Sequence, residues 1–355
     1  MNSSSLRFGV IGAGMIGRIH LEALRTAGLS VVAVADPSAP ACKAALELIP
    51  GMKTYADWRE LLDDPEVEAV NICTLNALHF EILKEAVQRG KHVFCEKTMT
   101  VDGKQAHEAL QLRPAPGQIV QIGYMKRFFP ASIWAKERLP DLGRILCATV
   151  RSFQGGLAGP GMFDDASWRP DESGPSKMRR FASGGMLNMA GSHMLDLTAW
   201  LLGVPRQITC RTWAPDGYDA ELHAHAFFEM ESGAAVHFEA CLSHFSATGP
   251  YGNGWDEFVQ IDGIGGRLEI YYPLWNKPAS APARARFYHV EKAAWEEPEF
   301  PAVDAFHLEL ESFAQSCTGK PLPHPTIRDG AIVDFCIDTC YASARLGHSI
   351  SFPQI

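Results

Sequence analysis

The sequence lacks the features that mark several common classes of protein. Lys and Arg number 32 against 41 Asp and Glu among 355 residues, which gives a net charge of −9. A sequence-independent nucleic-acid binder needs a basic face to displace counterions, so this balance argues against one. No apolar run approaches the roughly 18 residues that a membrane-spanning helix needs, and the first residues show no signal-peptide core. We expect a cytoplasmic protein without a nucleic-acid or membrane partner.

The nine cysteines form no recognisable framework. Their number is odd, their positions are scattered, and no two stand in a C-x-x-C pair. This pattern is typical of reduced thiols in a cytosolic protein, and it favours neither a disulfide frame nor a zinc site. We therefore expect no bound metal. His223, His225 and His237 stand among apolar residues of predicted strands, and we interpret them as structural.

Strand and helix patterns alternate through the first third of the chain. A length of 355 residues suggests two domains at about 100–200 residues each. Apolar, β-branched runs at 6–12, 30–35, 67–74, 92–95 and 119–123 are separated by helical patterns. This alternation is typical of βαβ units and a parallel sheet covered on both faces. Residues 1–128 are predicted to form a doubly wound domain around this parallel sheet.

The hydrophobic pattern of the sequence changes after residue 128. Two-residue alternation appears, for example at 145–153 and 234–241, and Gly and Pro punctuate it. The pattern predicts a mostly antiparallel open sheet, one strong helix at 184–202 and two final helices at 303–317 and 328–346. Residues 129–355 are predicted to form a second, α/β domain. A polar stretch, 155–180, is predicted to be a loop over the site.

A glycine motif follows the first predicted strand and opens the first predicted helix. Gly12-Ala-Gly-Met-Ile-Gly17 has the form G-x-G-x-x-G. In a dinucleotide site, Gly12 makes the tight turn, Gly14 lets the diphosphate approach the backbone, and Gly17 lets helix and strand pack closely. The diphosphate would bind at the helix N-terminus, which begins with Met15 and Ile16, because unpaired N–H groups and the helix dipole favour negative charge.

An acidic residue stands at the end of the second predicted strand. Asp36 lies 19 positions after Gly17, where an acid accepts hydrogen bonds from the adenosine ribose. Its charge would repel a 2′-phosphate, and the next residues, Pro37 and Ser38, include no arginine to bind one. The sequence therefore predicts that residues 1–128 form a Rossmann domain that binds NAD as the cofactor, with NADP disfavoured.

The sequence resembles the glucose–fructose oxidoreductase / inositol dehydrogenase (Gfo/Idh/MocA) family along nearly its whole length. Six motifs in the family's order carry the resemblance, at 10–17, 73–79, 95–98, 123–128, 184–196 and 263–269. The resemblance implies further residues near the cofactor: Thr74, Asn76, His79, Glu96, Lys97, Trp168 and Arg169.

The same resemblance implies two catalytic residues, Lys97 and His193. The family's third catalytic group, an aspartate, is absent, because Met189 occupies its position four residues before His193. Thr98 and Leu75 likewise replace two prolines of the family motifs. A histidine has a pKa suited to moving a hydroxyl proton, and a lysine ammonium stabilises a developing alkoxide.

Helical spacing relates several candidate substrate residues. Met189, His193 and Asp196 share a face at i, i+4 and i+7, so Asp196 is interpreted either as orienting His193 or as a salt-bridge residue. Arg127 suits an anionic substrate group or an interdomain salt bridge. Tyr251 stands in a Gly-rich loop after a strand and is interpreted as pocket lining.

We expect an NAD(H)-dependent oxidoreductase that acts on a secondary alcohol carbon of a sugar, glycoside, polyol or related cyclic alcohol. Two alternatives stay open: a reductase or dehydrogenase of a non-sugar substrate, such as a dihydrodiol or an imine, and a non-catalytic NAD-binding protein. The resemblance further implies that residues 129–355 serve substrate binding and oligomerisation, and that the protein is a homodimer or homotetramer.

Overall fold

The computed structural model describes residues 6–155, 184–214, 220–274, 281–320 and 322–355. The chain divides into two compact units. The first comprises Met1–Met125 and Ala305–Asp334, and the second comprises Lys126–Asp304 and Phe335–Ile355.

The first unit contains a six-stranded sheet in which all neighbouring strands are parallel, in the order β3-β2-β1-β4-β5-β6. The strands are β1 (Arg7–Ile11), β2 (Ser30–Ala35), β3 (Lys53–Tyr55), β4 (Ala69–Ile72), β5 (His92–Cys95) and β6 (Val120–Ile122). The connecting helices are α1 (Met15–Thr26), α2 (Ala39–Leu48), α3 (Trp58–Asp63), α4 (Asn76–Gln88) and α5 (Gly103–Ala109). This strand order is that of the Rossmann fold, and it confirms the prediction for the N-terminal region.

The boundary of the first unit differs from the sequence analysis, which assigned everything after residue 128 to the second domain. Helix α8 (Ala305–Cys317) belongs to the first unit. Its Phe313 is fully buried and meets the rings of Phe8 and Phe94 edge-on, with centroids 6.1 and 5.7 Å apart. Burying a Phe side chain is worth about 1.5–3 kcal/mol, so this contact fixes the helix to the parallel sheet.

The second unit contains a nine-stranded sheet in the order β14-β13-β12-β11-β7-β10-β9-β8-β15. Its neighbours are antiparallel except for the β7–β10 pair, which confirms the predicted mostly antiparallel sheet. The strands are β7 (Ile145–Gln154), β8 (Pro205–Trp213), β9 (His223–Met230), β10 (Ala235–Leu242), β11 (Trp255–Gly263), β12 (Gly266–Tyr272), β13 (Arg284–His289), β14 (Ala294–Glu296) and β15 (Ile350–Ser351). The helices are α6 (Pro130–Arg138) and α7 (Ser192–Leu202), while α9 (Ile327–Leu346) contributes residues to both units.

The nine-stranded sheet has one buried face and one open face. Val150, Val236 and Val259 point to the buried face and are 0% exposed, and their alternation with less buried residues follows the two-residue period of a strand. The opposite side is the open face. It carries Arg151, Phe153, His223, His225, Phe227, His237, Glu239, Cys241, Asp256 and Phe258.

The helix predicted at 184–202 begins with a wider turn. Leu187–Gly191 is π-helical, and α7 follows from Ser192. The Gly191 N–H donates to the Met186 carbonyl five residues back at 2.8 Å, and a Cβ on Gly191 would lie 2.9 Å from that oxygen. The wide turn therefore requires glycine at this position, a detail that hydrophobic periodicity does not reveal.

No helix within the described ranges has the length and apolarity to span a bilayer. The loop predicted at 155–180 lies almost entirely outside the described residues.

Candidate functional site

The glycine turn between β1 and α1 is dictated by two close contacts. Gly12 has φ +94°, and a Cβ on it would lie 2.6 Å from the Cys73 carbonyl oxygen. A Cβ on Gly17 would lie 1.9 Å from the Gly12 carbonyl oxygen. Both positions therefore exclude any side chain, because α1 packs directly on the turn and β4 lies beside it.

The remaining glycine of the motif, Gly14, is explained by something other than a close contact. A Cβ on Gly14 would meet no atom of the described structure within 4 Å, so packing does not require glycine there. Gly14 is also the N-cap of α1; it provides no side-chain hydrogen bond, and the first turn holds no acid. The amides that begin the helix at Met15 and Ile16 therefore suit an anion that approaches over Gly14. A dinucleotide diphosphate fits this position.

Asp36 is held against the glycine turn at the end of β2. Its Oδ2 accepts a hydrogen bond from the Ala13 N–H at 2.8 Å, and its Oδ1 accepts one from the Ser38 N–H at 2.8 Å. Each carboxylate oxygen can accept two hydrogen bonds, so both retain capacity for ribose hydroxyls. The fixed charge is positioned to disfavour a 2′-phosphate.

A cavity of about 620 Å³ joins these features within the first unit. Its lining includes six of the predicted cofactor residues: Gly12, Gly14, Met15, Ile16, Asp36 and Thr74. Met15 is 61% exposed, so the cavity combines an apolar wall with a carboxylate and a helix N-terminus. This combination suits a nucleoside joined to a diphosphate.

Part of the cavity wall was not predicted from the sequence. Trp58, Arg59, Leu75 and Leu78 also line it, and Leu75 is 60% exposed. The Arg59 guanidinium lies 4.0 Å from the centroid of the Trp58 ring and pairs with Glu81 at 2.6 Å, so its charge is already compensated. Large apolar side chains at the start of α4 were the only sequence signal for this wall.

His79 connects the loops that follow β4 and β5. Its ring nitrogens lie 2.8 Å from the Thr98 carbonyl and 3.0 Å from the Thr74 carbonyl. The side chain is 1% exposed, and burial lowers its pKa. Asn76 adds a bond from Nδ2 to the Thr98 hydroxyl at 3.1 Å. The structure thus gives His79 a positioning contact, whereas the sequence analysis had it near the cofactor.

Glu96 is buried beneath Lys97. Its Oε1 lies 2.8 Å from His20 Nε2, and its Oε2 accepts the Lys97 backbone N–H at 3.1 Å. Burial raises the pKa of Glu96, but the His20 hydrogen bond and the charges of His20 and Lys97 outweigh it, so the pKa lies below its usual value. His20 is oriented in turn by Asn71, at 3.2 Å from Nδ1. This chain of contacts fixes the backbone of Lys97 at the carboxyl end of β5, the edge where Rossmann sites open.

The second unit carries His193 in the first turn of α7 and Met189 in the π-helical turn. Both are half-buried, whereas the intervening Ala190 and Ser192 are buried. Met189 and His193 therefore lie on the less covered side of this segment. Asn188, the residue adjacent to the missing aspartate position, is buried and donates from Nδ2 to the Tyr341 hydroxyl at 3.0 Å, so it has a structural contact.

Arg127 and Asp196 form a bidentate pair inside the second unit. Arg127 Nε and Nη2 donate to the two carboxylate oxygens at 2.8 and 2.6 Å. The side chains are 9% and 0% exposed. This buried ion pair, for which the guanidinium fork is suited, favours the salt-bridge interpretation of both residues, although it lies within one unit. The roles of Arg127 toward an anionic substrate and of Asp196 toward His193 stay predictions.

Tyr251 also has an internal role. Its hydroxyl donates to the Pro282 carbonyl at 2.7 Å and lies 3.3 Å from the Tyr271 carbonyl. Burial raises its pKa to about 12, opposed by Arg284. The neutral phenol therefore ties the loop before β11 to the segment before β13, and its predicted place in a substrate pocket stays a prediction.

A buried network near the start of the second unit was not predicted. Lys126 Nζ donates to Glu257 Oε2 at 2.6 Å, and Trp255 Nε1 donates to the same oxygen at 2.7 Å. Ser152 donates to Glu257 Oε1 at 2.6 Å. The only sequence signal for this network is a glutamate at an inward-facing position of a predicted strand. Trp168 and Arg169 lie outside the described residues.

Comparison with known proteins decides the family. A model described as an oxidoreductase family with an NAD-binding Rossmann fold matches residues 6–124. The model of the GFO/IDH/MocA C-terminal domain matches residues 141–269. The chain belongs to the Gfo/Idh/MocA family. The resemblance drawn from six motifs is therefore confirmed, and NAD is the cofactor that the first unit of this oxidoreductase binds.

Individual relatives extend the match over most of the chain. An inositol 2-dehydrogenase of Salmonella paratyphi B is 26% identical over 361 residues, covering 97% of this chain and 96% of the relative. The scyllo-inositol 2-dehydrogenase (NAD(+)) of Bacillus subtilis is 28% identical over 92% of this chain and 90% of its own length. A solved levoglucosan dehydrogenase in complex with NADH and L-sorbose shares the fold, with a TM-score of 0.80, 21% identity and 99% coverage of both chains.

Proposed function

We propose that this Gfo/Idh/MocA oxidoreductase is an NAD-dependent dehydrogenase acting on a secondary alcohol carbon of a sugar, glycoside, polyol or related cyclic alcohol, in either direction. The observation that carries the proposal is the cavity beside Gly14 and Asp36, which has the backbone and charge that NAD requires. The relatives named as inositol dehydrogenases, aligned over nearly the whole chain, support the substrate class.

We assign the cofactor contacts residue by residue. Gly12, Gly14, Met15 and Ile16 bind the diphosphate through the backbone, and Asp36 binds the adenosine ribose. Thr74, Asn76 and Lys97 face the nicotinamide half, while His79 and Glu96 position those loops through the contacts described above. Trp168 and Arg169 remain predicted contacts. When bound, the nicotinamide supplies the hydride chemistry.

We assign His193 as the acid/base and Lys97 as its electrostatic partner. During alcohol oxidation His193 accepts the hydroxyl proton at a ring nitrogen, and in the reverse direction it returns that proton. The Lys97 ammonium stabilises the negative charge that develops on the substrate oxygen. Lys97 suits this role because Glu96 fixes the backbone on which it stands.

Met189 marks the point where substrate choice is expected to diverge from the family. A thioether replaces a carboxylate, which removes a hydrogen-bond acceptor and adds polarizable apolar surface. We propose that the substrate presents an apolar or less hydroxylated side there. The half-buried Met189 also favours the second candidate function, a dehydrogenase or reductase of a dihydrodiol or imine.

The test is the absorbance of reduced nicotinamide while the purified full-length protein is mixed with NAD and a panel of polyols, aldoses, glycosides and cyclic diols. NADP is run beside NAD. We expect turnover with NAD and at least one cyclic polyol or sugar. Turnover with diols or imines alone supports the second candidate, and NAD binding without turnover of any substrate contradicts both and favours a non-catalytic protein.

We further propose that the protein is a cytoplasmic homodimer or homotetramer that pairs through the open face. All nine cysteines are free thiols, as a reducing compartment allows. The open side of β8 and β9 exposes Trp213 by 47% and Phe227 by 46%, and exposed aromatic patches mark interaction surfaces. Light scattering that gives the mass of a single 38.9 kDa chain would contradict the oligomer.

A further inference from the structure

A cluster of metal-ligating side chains lies on the open face of the second unit, across β9 and β10. His223 and His225 stand two residues apart on β9, so both point to the same face. The register pairs His223 directly with Cys241 of β10. One ligand atom from each of the three residues lies within 4.8 Å of the other two. Residues that are 16 and 18 positions apart in sequence are thus brought together by strand pairing alone.

The spacing within this cluster matches a small thiophilic ion. Cys241 Sγ lies 3.8 Å from His225 Nε2. In a tetrahedral zinc site, with Zn–S of about 2.3 Å and Zn–N of about 2.0–2.1 Å, sulfur and nitrogen ligands lie roughly 3.6 Å apart. A small side-chain adjustment therefore places both atoms at bonding distance from one ion.

The surroundings orient His223 as a ligand. Its Nε2 donates to the Leu242 carbonyl at 3.0 Å. Metal-binding histidines use one ring nitrogen for the ion and the other for a carbonyl or carboxylate, which fixes the tautomer. His223 itself is half-buried on the open face. Trp213 packs against it with centroids 5.2 Å apart.

A second group shares His225 but is less suited to a cation. His225, His237 and Glu239 also have ligand atoms within 4.8 Å of one another. However, Glu239 Oε2 accepts a hydrogen bond from Arg151 Nε at 2.9 Å, which places a guanidinium charge beside the ion. The second group also lacks a thiolate, the ligand that zinc and other soft ions prefer. The first group is therefore the favoured site.

We propose that His223, His225 and Cys241 bind a thiophilic divalent cation, Zn²⁺, with water as the fourth ligand. On binding, the Cys241 S–H bond breaks, the thiolate sulfur bonds to Zn²⁺, and the proton passes to solvent. The sequence alone predicts no metal, because local spacings of Cys and His do not show the strand register that brings these residues together. The site lies wholly in the second unit and adds a binding function to the proposed dehydrogenase without depending on it.

The test uses the untagged, full-length protein, stripped of metal by a chelator. Zn²⁺ is titrated by calorimetry, and Co²⁺ by absorption, where a thiolate ligand gives a thiolate-to-cobalt charge-transfer band. We expect one equivalent of either ion and the thiolate band in the wild type. C241S should lose the band and weaken Zn²⁺ binding at least about tenfold, which is about 1.4 kcal/mol.

Matched variants separate the site from general thiol or histidine chemistry. C147S removes an exposed cysteine of β7 on the same face, and it should retain both the band and the affinity. H225A changes a side chain that is exposed in the single chain but lies on the open face proposed for pairing, so it should fold normally and lose binding, with circular dichroism and light scattering as the checks. The wild type failing to bind Zn²⁺, or H237A losing binding while C241S retains it, would overturn the proposal.

Discussion

The two units differ in how their candidate site residues are used. In the first, Gly12, Gly14 and Asp36 line one cavity, as the glycine motif predicts. In the second, Arg127 and Asp196 form a bidentate ion pair with each other. The first site is defined by backbone sterics within a short segment, and the second by side-chain partners 69 residues apart. Short motifs therefore locate a cofactor site more reliably than they locate a substrate site.

Among these variants, replacement of His193 should lower activity most, because His193 is the second-unit residue to which we assign chemistry. H193A should lower kcat by about 10²–10⁴-fold, the usual contribution of general acid–base catalysis, and leave the NAD dissociation constant unchanged. Steady-state kinetics and calorimetry measure the two quantities. H348A, at an exposed histidine, is the control, and a fall in NAD affinity equal to the fall in kcat would contradict the role.

Breaking the Arg127–Asp196 pair tests whether the second unit uses Arg127 for structure. R127M should lower the free energy of unfolding by about 3–5 kcal/mol, because it leaves a buried carboxylate without its partner. Denaturant unfolding of the full chain measures the loss. R206M removes an exposed arginine paired with Glu229, and should cost less than about 1 kcal/mol. A raised KM with undiminished stability in R127M would restore the substrate role.

Two glycines of the first unit separate packing from ligand binding. G17A should destabilise the fold by about 1–3 kcal/mol, as overpacking does, because its Cβ would lie 1.9 Å from the Gly12 carbonyl oxygen. G14A should leave stability nearly unchanged and weaken NAD binding about tenfold or more, or about 1.4 kcal/mol. Thermal unfolding and calorimetry distinguish them. Unchanged NAD affinity in G14A would contradict the diphosphate position.

Asp36 provides the test of cofactor choice. D36N keeps the shape but removes the charge, so NAD binding should weaken by about tenfold or more, since hydrogen bonds to charged groups are worth about 1.5–3 kcal/mol. The ratio of NADP to NAD affinity should rise. Calorimetry with both cofactors measures the ratio, and D57N, at another cavity carboxylate, is the control. An unchanged ratio would show that Asp36 does not select the cofactor.

Asp334, unlike Asp196, is a buried carboxylate held by the neutral hydrogen-bond donors of Thr100. Its effect on stability should therefore depend on pH in a different way. Asp334 accepts the Thr100 N–H and hydroxyl at 2.8 and 2.7 Å. Burial raises the pKa of Asp334 to about 8 from its ordinary value of 3.8, opposed by those hydrogen bonds. The folded state therefore keeps a proton that the unfolded chain releases near pH 4, and this contribution to stability is lost as pH rises from about 4 to about 8.

D334N copies the neutral form of Asp334 and removes this proton linkage. Its stability should decline less than that of the wild type between pH 5 and pH 9, and it should be the more stable protein at pH 9. Denaturant midpoints at both pH values measure the slope. D338N, at a half-buried carboxylate on the same helix, is expected to keep the wild-type slope. Equal slopes in D334N and the wild type would contradict the assignment.

Much of the fold follows from local pattern, and its departures have physical causes. The parallel order of the first sheet is predicted by apolar strands that alternate with helices, and the antiparallel sheet by two-residue alternation. The position of α8 is not predicted by such a pattern, because an amphipathic helix does not specify which core its Phe313 enters. The π-helical turn at Leu187–Gly191 depends on one hydrogen bond and one glycine, which periodicity cannot register.

The candidate site shows the same limit. Gly14 and Asp36 are recognised because their roles require one residue type at one spacing. Tyr251 and Arg127 carry groups that serve a substrate or a neighbour equally well, and only the fold reveals their partners. The His223–Cys241 pairing depends on the register of β9 and β10, which the sequence does not show.

The dehydrogenase assignment is tested most directly by the reduction of NAD by an inositol, followed by absorbance in the presence of the full-length protein. We expect a steady rise in reduced nicotinamide that H193A suppresses and that NADP does not match. Binding of NAD with no reduction by an inositol or by any other alcohol of the panel would contradict the dehydrogenase assignment.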